Sequence, residues 1–118
     1  MGTFSYRIEV GTDRAGPFVP VDAVVDTGAT YSQIPRPTLE HLGVRPISRR
    51  EFTMADGRTA IREIAEVYVR LDGQVRTTLC VIGEAGMPAL LGAYTLEGFG
   101  LTADPVNRRL VETTLYLL

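Results

Sequence analysis

Residues 61 to 71 carry Ile61, Ala65, Val67, Val69 and Leu71 on one side and Arg62, Glu66 and Arg70 on the other. A period of two is the mark of a strand with one buried face. The run is bracketed by Asp56-Gly57 and Asp72-Gly73, and Asp-Gly between apolar runs is a strong hairpin-turn signal. One long strand held between two tight turns commits this chain to antiparallel sheet.

The rest of the sequence agrees. Phe4, Tyr6, Ile8 and Val10 alternate with Ser5, Arg7 and Glu9, and Gly11 to Gly16 reads as a turn into a second strand, Phe18 to Val25. These two strands are expected to pair as a hairpin. Ile47 to Thr53 leads into the first Asp-Gly turn, and Val75, Thr77, Leu79 and Val81 return from the second. Leu101 to Ala103, a turn at Asp104 to Asn107 and a strand from Arg109 to Leu118 complete the pattern. Only two segments read as helix: Pro35 to Gly43, with Leu39 and Leu42 on one side, and Tyr94 to Glu97. The spacing predicts one domain over residues 1–118, mainly β, a small barrel-like sheet with one or two short helices.

Composition removes most catalytic chemistries. A single cysteine, Cys80, excludes an internal disulfide framework and a multi-cysteine zinc site, and a single histidine, His41, excludes a histidine-built metal centre. No metal and no cofactor are expected. All twelve cations are arginine, and the net charge of −2 argues against a nucleic-acid partner steered by a basic surface. The pairs Arg49-Arg50 and Arg108-Arg109 read as solvated faces, Cys80 as a packing residue and His41 as a surface residue. The start, Met1-Gly2-Thr3-Phe4-Ser5-Tyr6, has no secretory pattern, and Tyr6 stands where a myristoylation motif wants Ser or Thr. With no window of eighteen apolar residues, a soluble cytoplasmic protein without a membrane partner is expected.

One tetrapeptide carries chemistry. Asp26-Thr27-Gly28-Ala29 ends the apolar strand Val21 to Val25, so a buried strand delivers a carboxylate to a turn that leaves it facing outwards. A second apolar-apolar-glycine element, Leu90-Leu91-Gly92, follows later in the chain and precedes the second helix. Between them lies the Asp56-Gly57 hairpin, shaped like a flap.

In this order and spacing the chain resembles the retropepsin-like aspartic proteases, the single-domain family of the retroviral enzymes and their prokaryotic relatives. The likeness extends over nearly the whole chain. It implies a closed β-barrel, the half of an acid protease, and a water held between two facing aspartates. Two carboxylates about 3 Å apart at an effective dielectric near 20 repel by about 5 kcal/mol, or about four pKa units, so such a pair shares one proton. One member takes a proton from the water while the other polarises the scissile carbonyl. Asp13, Asp22, Asp56, Asp72 and Asp104 lack a following Thr-Gly or Ser-Gly, so this chain holds one such aspartate. An enzyme of this type is therefore expected to be a C2 homodimer.

The resemblance assigns further roles. Thr27 would reach across the two-fold axis, Gly28 would offer its carbonyl to a peptide, and Ala29 and Thr30 would flank the bound chain. Met54, Ala55, Asp56 and Gly57 would form the flap tip. Leu90 and Leu91 would line apolar subsites, with Gly92 allowing close packing. The apolar end Leu115-Tyr116-Leu117-Leu118 would pack against the second copy or close the domain's own sheet. Two features depart from the retroviral pattern. Thr30 and Tyr31 replace acidic residues after the motif, and Ala93 replaces the arginine that pairs with one of them. The reading is an endopeptidase acting on a peptide or unfolded protein. A peptide-binding or dimerisation module of the same fold, with little turnover, is the alternative, as is a monomer that works only with a partner.

Overall fold

The computed structural model describes residues 3–118; Met1 and Gly2, on which the myristoylation reading rests, lie outside them. Strands β1 (Ser5–Gly11) and β2 (Phe18–Val25) form the expected antiparallel hairpin, with Ile8 opposite Val21. Next come β3 (Ser32–Pro35), α1 (Arg36–Leu42), β4 (Ser48–Thr53), β5 (Thr59–Leu71) and β6 (Gln74–Gly83). The chain ends with β7 (Leu90–Leu91), α2 (Ala93–Gly98), β8 (Leu101–Asp104) and β9 (Arg109–Glu112). Asp72 and Gly73 both have positive φ, the backbone of a primed two-residue turn that joins β5 to β6 without splaying them.

The large sheet runs β1-β2-β7-β3-β6-β5-β4, and β1 also pairs with β5, Val10 opposite Val69. Six strands thus close into a ring without free edges, while β4 hangs outside it on β5. Glu9 lies opposite Arg70 at the closing seam, bonded by two N–H donors at 2.8 and 2.9 Å, and the Arg70 guanidinium lies 4.3 Å from the centre of the Phe18 ring. Inside the ring, Ile8, Val10, Ala23, Val67, Val69 and Leu91 are buried, closed off by Leu39 of α1 and Leu96 of α2. Among the described residues no helix is long and apolar enough to cross a membrane.

Three expectations need correction. Ile61 does not share the buried face of Ala65 to Leu71: it is 57% exposed, because the first third of β5 leaves the ring with β4 and forms an arm. Of the alternating set Val75, Thr77, Leu79 and Val81 on β6 only Val81 is buried; the core face carries Thr78, Cys80 and Ile82, since register sets Cys80 opposite Ala65 and Thr78 opposite Val67. The final strand stops at Glu112, where β8 runs out as its partner, so residues 113 to 118 do not close the domain's own sheet. Leu115, Tyr116, Leu117 and Leu118 are all exposed.

Candidate active site

Asp26 follows β2 directly, and its backbone is fixed on both sides. Val24 and Asp26 donate their N–H groups to the carbonyls of Ala89 and Leu91 at 2.9 and 3.0 Å, extending the parallel pairing of β2 with β7. The chain then turns: the Gly28 N–H donates to Asp26 Oδ1 at 3.0 Å, and the Ala29 N–H donates to the Asp26 carbonyl at 3.1 Å. Gly28 does not occupy the left-handed region. Its requirement is space, because a Cβ there would lie 3.2 Å from Asp26 Oδ1. Gly28 therefore serves by leaving room beside the carboxylate.

Helix α2 holds the loop from behind. A helix leaves its first N–H groups without intrahelical partners. Here Gly92, Ala93 and Tyr94 donate them to Ser32 Oγ, the Ala29 carbonyl and the Thr30 carbonyl at 3.0, 2.9 and 2.9 Å. Gly92 is needed for this approach, since a Cβ would sit 2.6 Å from the Tyr31 carbonyl carbon and oxygen. Beneath it Ser32 Oγ lies 2.6 Å from Thr95 Oγ1, which lies 2.9 Å from Thr78 Oγ1. These three side chains are buried, and every one of their hydroxyls is bonded. The network ties β3, α2 and β6 together under the loop. With Ala93 in place of an arginine, the loop is held to α2 by these main-chain bonds and by the Tyr31–Tyr94 edge contact, 5.5 Å between ring centres.

In front of Asp26 lies a cavity of about 400 Å³. Its floor includes Gly28, Ala29, Thr30 and Leu90, and its roof includes Met54 and Ala55. Seven of the residues singled out from sequence therefore meet at one place, counting Asp26. The others are placed elsewhere. Thr27 is exposed and lines a separate, smaller depression of about 260 Å³ with Phe4 and Thr102, and Asp26 borders both. Leu91 does not line a subsite: it is fully buried beside Val25 because β7 points alternate side chains to core and cleft. Asp56 and Gly57 stay outside the cavity wall, and the Asp56 carboxylate caps its own turn through the Arg58 N–H at 3.0 Å.

Sequence reasoning missed Tyr31, Gln33, Val81 and Met87, and on the arm Phe52, Ala60 and Arg62. The arm residues had a readable signal. In the β4–β5 register Phe52 faces Ala60 and Arg50 faces Arg62, so parity alone puts them on one face. Phe52 meets Tyr31 edge-on at 6.0 Å, anchoring the arm to the residue two beyond Ala29. Cys80 is buried in the core and its thiol is pushed up to about 12 by burial, consistent with packing rather than chemistry. Among the described residues no group of three or more His, Cys, Asp or Glu side chains is placed to hold a metal ion.

A ring of strands, an arm over a cleft and a loop-borne aspartate define a retropepsin-like fold. A family model described as aspartyl protease matches residues 10–94, and the chain belongs to that family. Solved structures agree on the fold. Simian foamy virus (mac) protease is similar at TM-score 0.58 and 17% identity, covering 79% of this chain and 91% of that one. EIAV protease complexed with the inhibitor HBY-793 is similar at TM-score 0.56 and 17% identity over 96% and 91%. A retropepsin-like aspartic protease from Rickettsia conorii gives TM-score 0.55 and 21% identity over 87% and 88%. No curated protein sequence matches the chain.

Proposed function

We propose that two copies of this chain form an endopeptidase in which Asp26 from each copy holds and activates one water for attack on an extended peptide. The observation that carries this reading is the single Asp-Thr-Gly carboxylate, fixed at the edge of a 400 Å³ cleft that an arm overhangs. A lone carboxylate cannot take the water's proton and donate to the scissile carbonyl oxygen in the same step, whereas a facing pair with one shared proton can. Pairing through the two-fold axis supplies the second one at no cost in sequence. Thr27 is exposed and lines a second depression that Asp26 also borders, surface that a second copy would cover. The exposed apolar end Leu115 to Leu118 gives that copy further surface to cover. In this mechanism one carboxylate takes the water's proton as oxygen attacks the carbonyl carbon. The protonated partner hydrogen-bonds the carbonyl oxygen, and a proton then passes to the leaving amine. No cofactor takes part.

The test is cleavage of an unfolded protein between about pH 3 and 7, beside an Asp26→Asn control, with products read by mass spectrometry. The expected result is cleavage by the wild type alone, declining as pH rises and the shared proton is lost. Cleavage retained by Asp26→Asn, or a folded dimer that cuts nothing at any pH, rejects the reading; the second outcome favours a peptide-binding module.

A further inference from the structure

The cleft wall on the arm carries one charge, and it has no counter-ion. Arg62 sits two residues beyond Ala60 on the inner face of β5 and lines the cavity with Phe52 and Ala60. Directly opposite it on β4 stands Arg50. Like charges facing each other across an antiparallel pair destabilise it. Three arginines on or near these strands are neutralised, Arg70 by Glu9, Arg36 by Glu63 and Arg58 by Asp56, while Arg49 on β4 also lacks a carboxylate partner among the described residues but does not line the cleft. Neither Arg50 nor Arg62 has a carboxylate within 4.0 Å among the described residues. Arg62 donates from Nη1 to the carbonyl of its neighbour Ile61 at 3.1 Å, which leaves most of its five N–H groups without a protein partner. Across the cleft the facing residues Thr30, Tyr31 and Leu90 are neutral, and Asp26 is the sole acid in the wall. The chain as a whole is slightly acidic, so this positive spot is local.

We propose that Arg62, with Arg50 behind it, makes the cleft select extended peptides that carry an Asp or Glu side chain close to a bulky apolar one. This deepens the endopeptidase reading and rests on it for the assumption that peptides occupy the cleft. The apolar side chain packs among Phe52, Tyr31 and Leu90. The carboxylate fits the planar fork of Arg62, which can grip both oxygens at once. A bound peptide excludes water from the cleft and strengthens that pair, and it relieves the Arg50–Arg62 opposition. Arg62 is a specificity-determining residue, separate from the Asp26 chemistry.

Binding to the Asp26→Asn protein tests this apart from turnover. Fluorescence anisotropy would compare labelled apolar peptides that carry Glu, Gln or Lys at each position in turn, at pH 6 and low salt. At the best position the Glu peptide is expected to bind about tenfold tighter than its Gln twin, the ordinary scale of a hydrogen bond to a charged group. That ratio should shrink in high salt. Arg62→Gln should bring it close to one, Arg62→Glu should turn it in favour of Lys, and Arg50→Glu should lower it by less. Circular dichroism melts check that each variant is folded, and Arg50→Glu serves if the Arg62 variants are not. Equal binding of Glu and Gln peptides at every position overturns the proposal, as does a Glu preference that survives in folded Arg62→Gln. Cleavage by the wild type, measured in parallel, separates the two ideas: charge-blind cutting sinks this proposal alone, and selective binding without cutting sinks only the endopeptidase. A folded protein that binds no peptide overturns both.

Discussion

Two structures face each other across the cleft, and they are built in opposite ways. The cradle that carries Asp26 consists of the β2–β7 pairing, the N-terminus of α2 and the hydroxyls of Ser32, Thr95 and Thr78. Every bond in it ends on backbone or on a buried side chain. The arm of β4 and the first part of β5 is a two-stranded ribbon, exposed over nearly all of residues 48 to 61. It touches the cradle through the Tyr31–Phe52 contact. Isolated two-stranded ribbons are marginal in water, so the arm has little stability of its own. The contrast places the candidate carboxylate on the firmly held part, and the wall that the proposed function would have a peptide pass on the weakly held one. Breaking each side in turn should therefore give different kinds of failure.

The largest effect is expected at Gly92. An alanine there drives a Cβ to 2.6 Å from the Tyr31 backbone, and neither chain can yield without losing bonds from Gly92, Ala93 and Tyr94. Overpacking of a tight site typically costs about 1–3 kcal/mol and sometimes more, and here Gly92→Ala belongs at or above the upper end. On the arm, Gly57→Ala meets no atom within 4 Å and costs only its positive φ of 88°, about 1–2 kcal/mol. Urea unfolding of the two variants side by side measures the difference. Equal loss at both sites would mean that the cradle yields as easily as the arm.

Thr95→Val comes next. It removes the central hydroxyl, breaks two bonds and leaves the side chains of Ser32 and Thr78 short of a partner in the core. Leaving buried polar groups unsatisfied costs about 1–3 kcal/mol, whereas Thr95→Ser, which keeps the hydroxyl and loses a methyl, should cost about 1 kcal/mol. The same unfolding experiment separates packing from hydrogen bonding: if Ser and Val variants lose equally, the network contributes nothing beyond volume.

These two sites also differ in how legible they were. Leu90-Leu91-Gly92 announces a close approach through its glycine, and alternation together with Asp-Gly pairs marks β1, β2, β5 and the turns between them. The hydroxyl network had no such signal. Ser32 and Thr95 lie 63 residues apart, and a buried serine looks no different in sequence from one in a turn. The same limit explains the face of β6. Val75 and Leu79 alternate as a core face should, yet register with β5 turns Thr78 and Cys80 inward instead. Alternation states that a strand has two faces; the partner strand decides which one is covered. Ile61 went astray for a related reason, since a period of two continues past the point where the barrel ends.

On the arm, Phe52→Ala should cost little stability and much order. The lost edge contact is worth about 0.5–1.5 kcal/mol, on a ring that is only partly buried. Global unfolding should shift by less than for Thr95→Val. Backbone amides of β4 should exchange hydrogen faster, while those of Val24, Asp26 and Ala93 keep their protection. If the chain cleaves peptides as proposed, KM should rise more than kcat falls, because the arm would contact the peptide while Asp26 sits on the cradle. Loss of protection in the cradle as well would show that the two walls form one cooperative unit, and the contrast would fail.

The smallest effect concerns acid, the range in which the proposed dyad would keep its shared proton. Glu9 closes the barrel seam against Arg70, and the hydrogen bonds from that guanidinium hold its carboxyl below the usual range. A depressed folded pKa means that the contribution is complete above the unfolded value of about 4.3 and is lost as pH falls through the folded value. The pair is solvent-exposed, so its contribution is modest. Melting temperatures followed from pH 7 to pH 2 should show the wild type losing slightly more than Glu9→Gln, its small advantage at neutral pH shrinking only below the unfolded value. The seam lies in the barrel wall, away from cleft and arm, so cleavage per folded molecule should be the same in both proteins at pH 5. A change in KM at that pH would mean that the seam communicates with the arm along β5, the one strand they share, and that the arm is less independent of the barrel than its exposure implies.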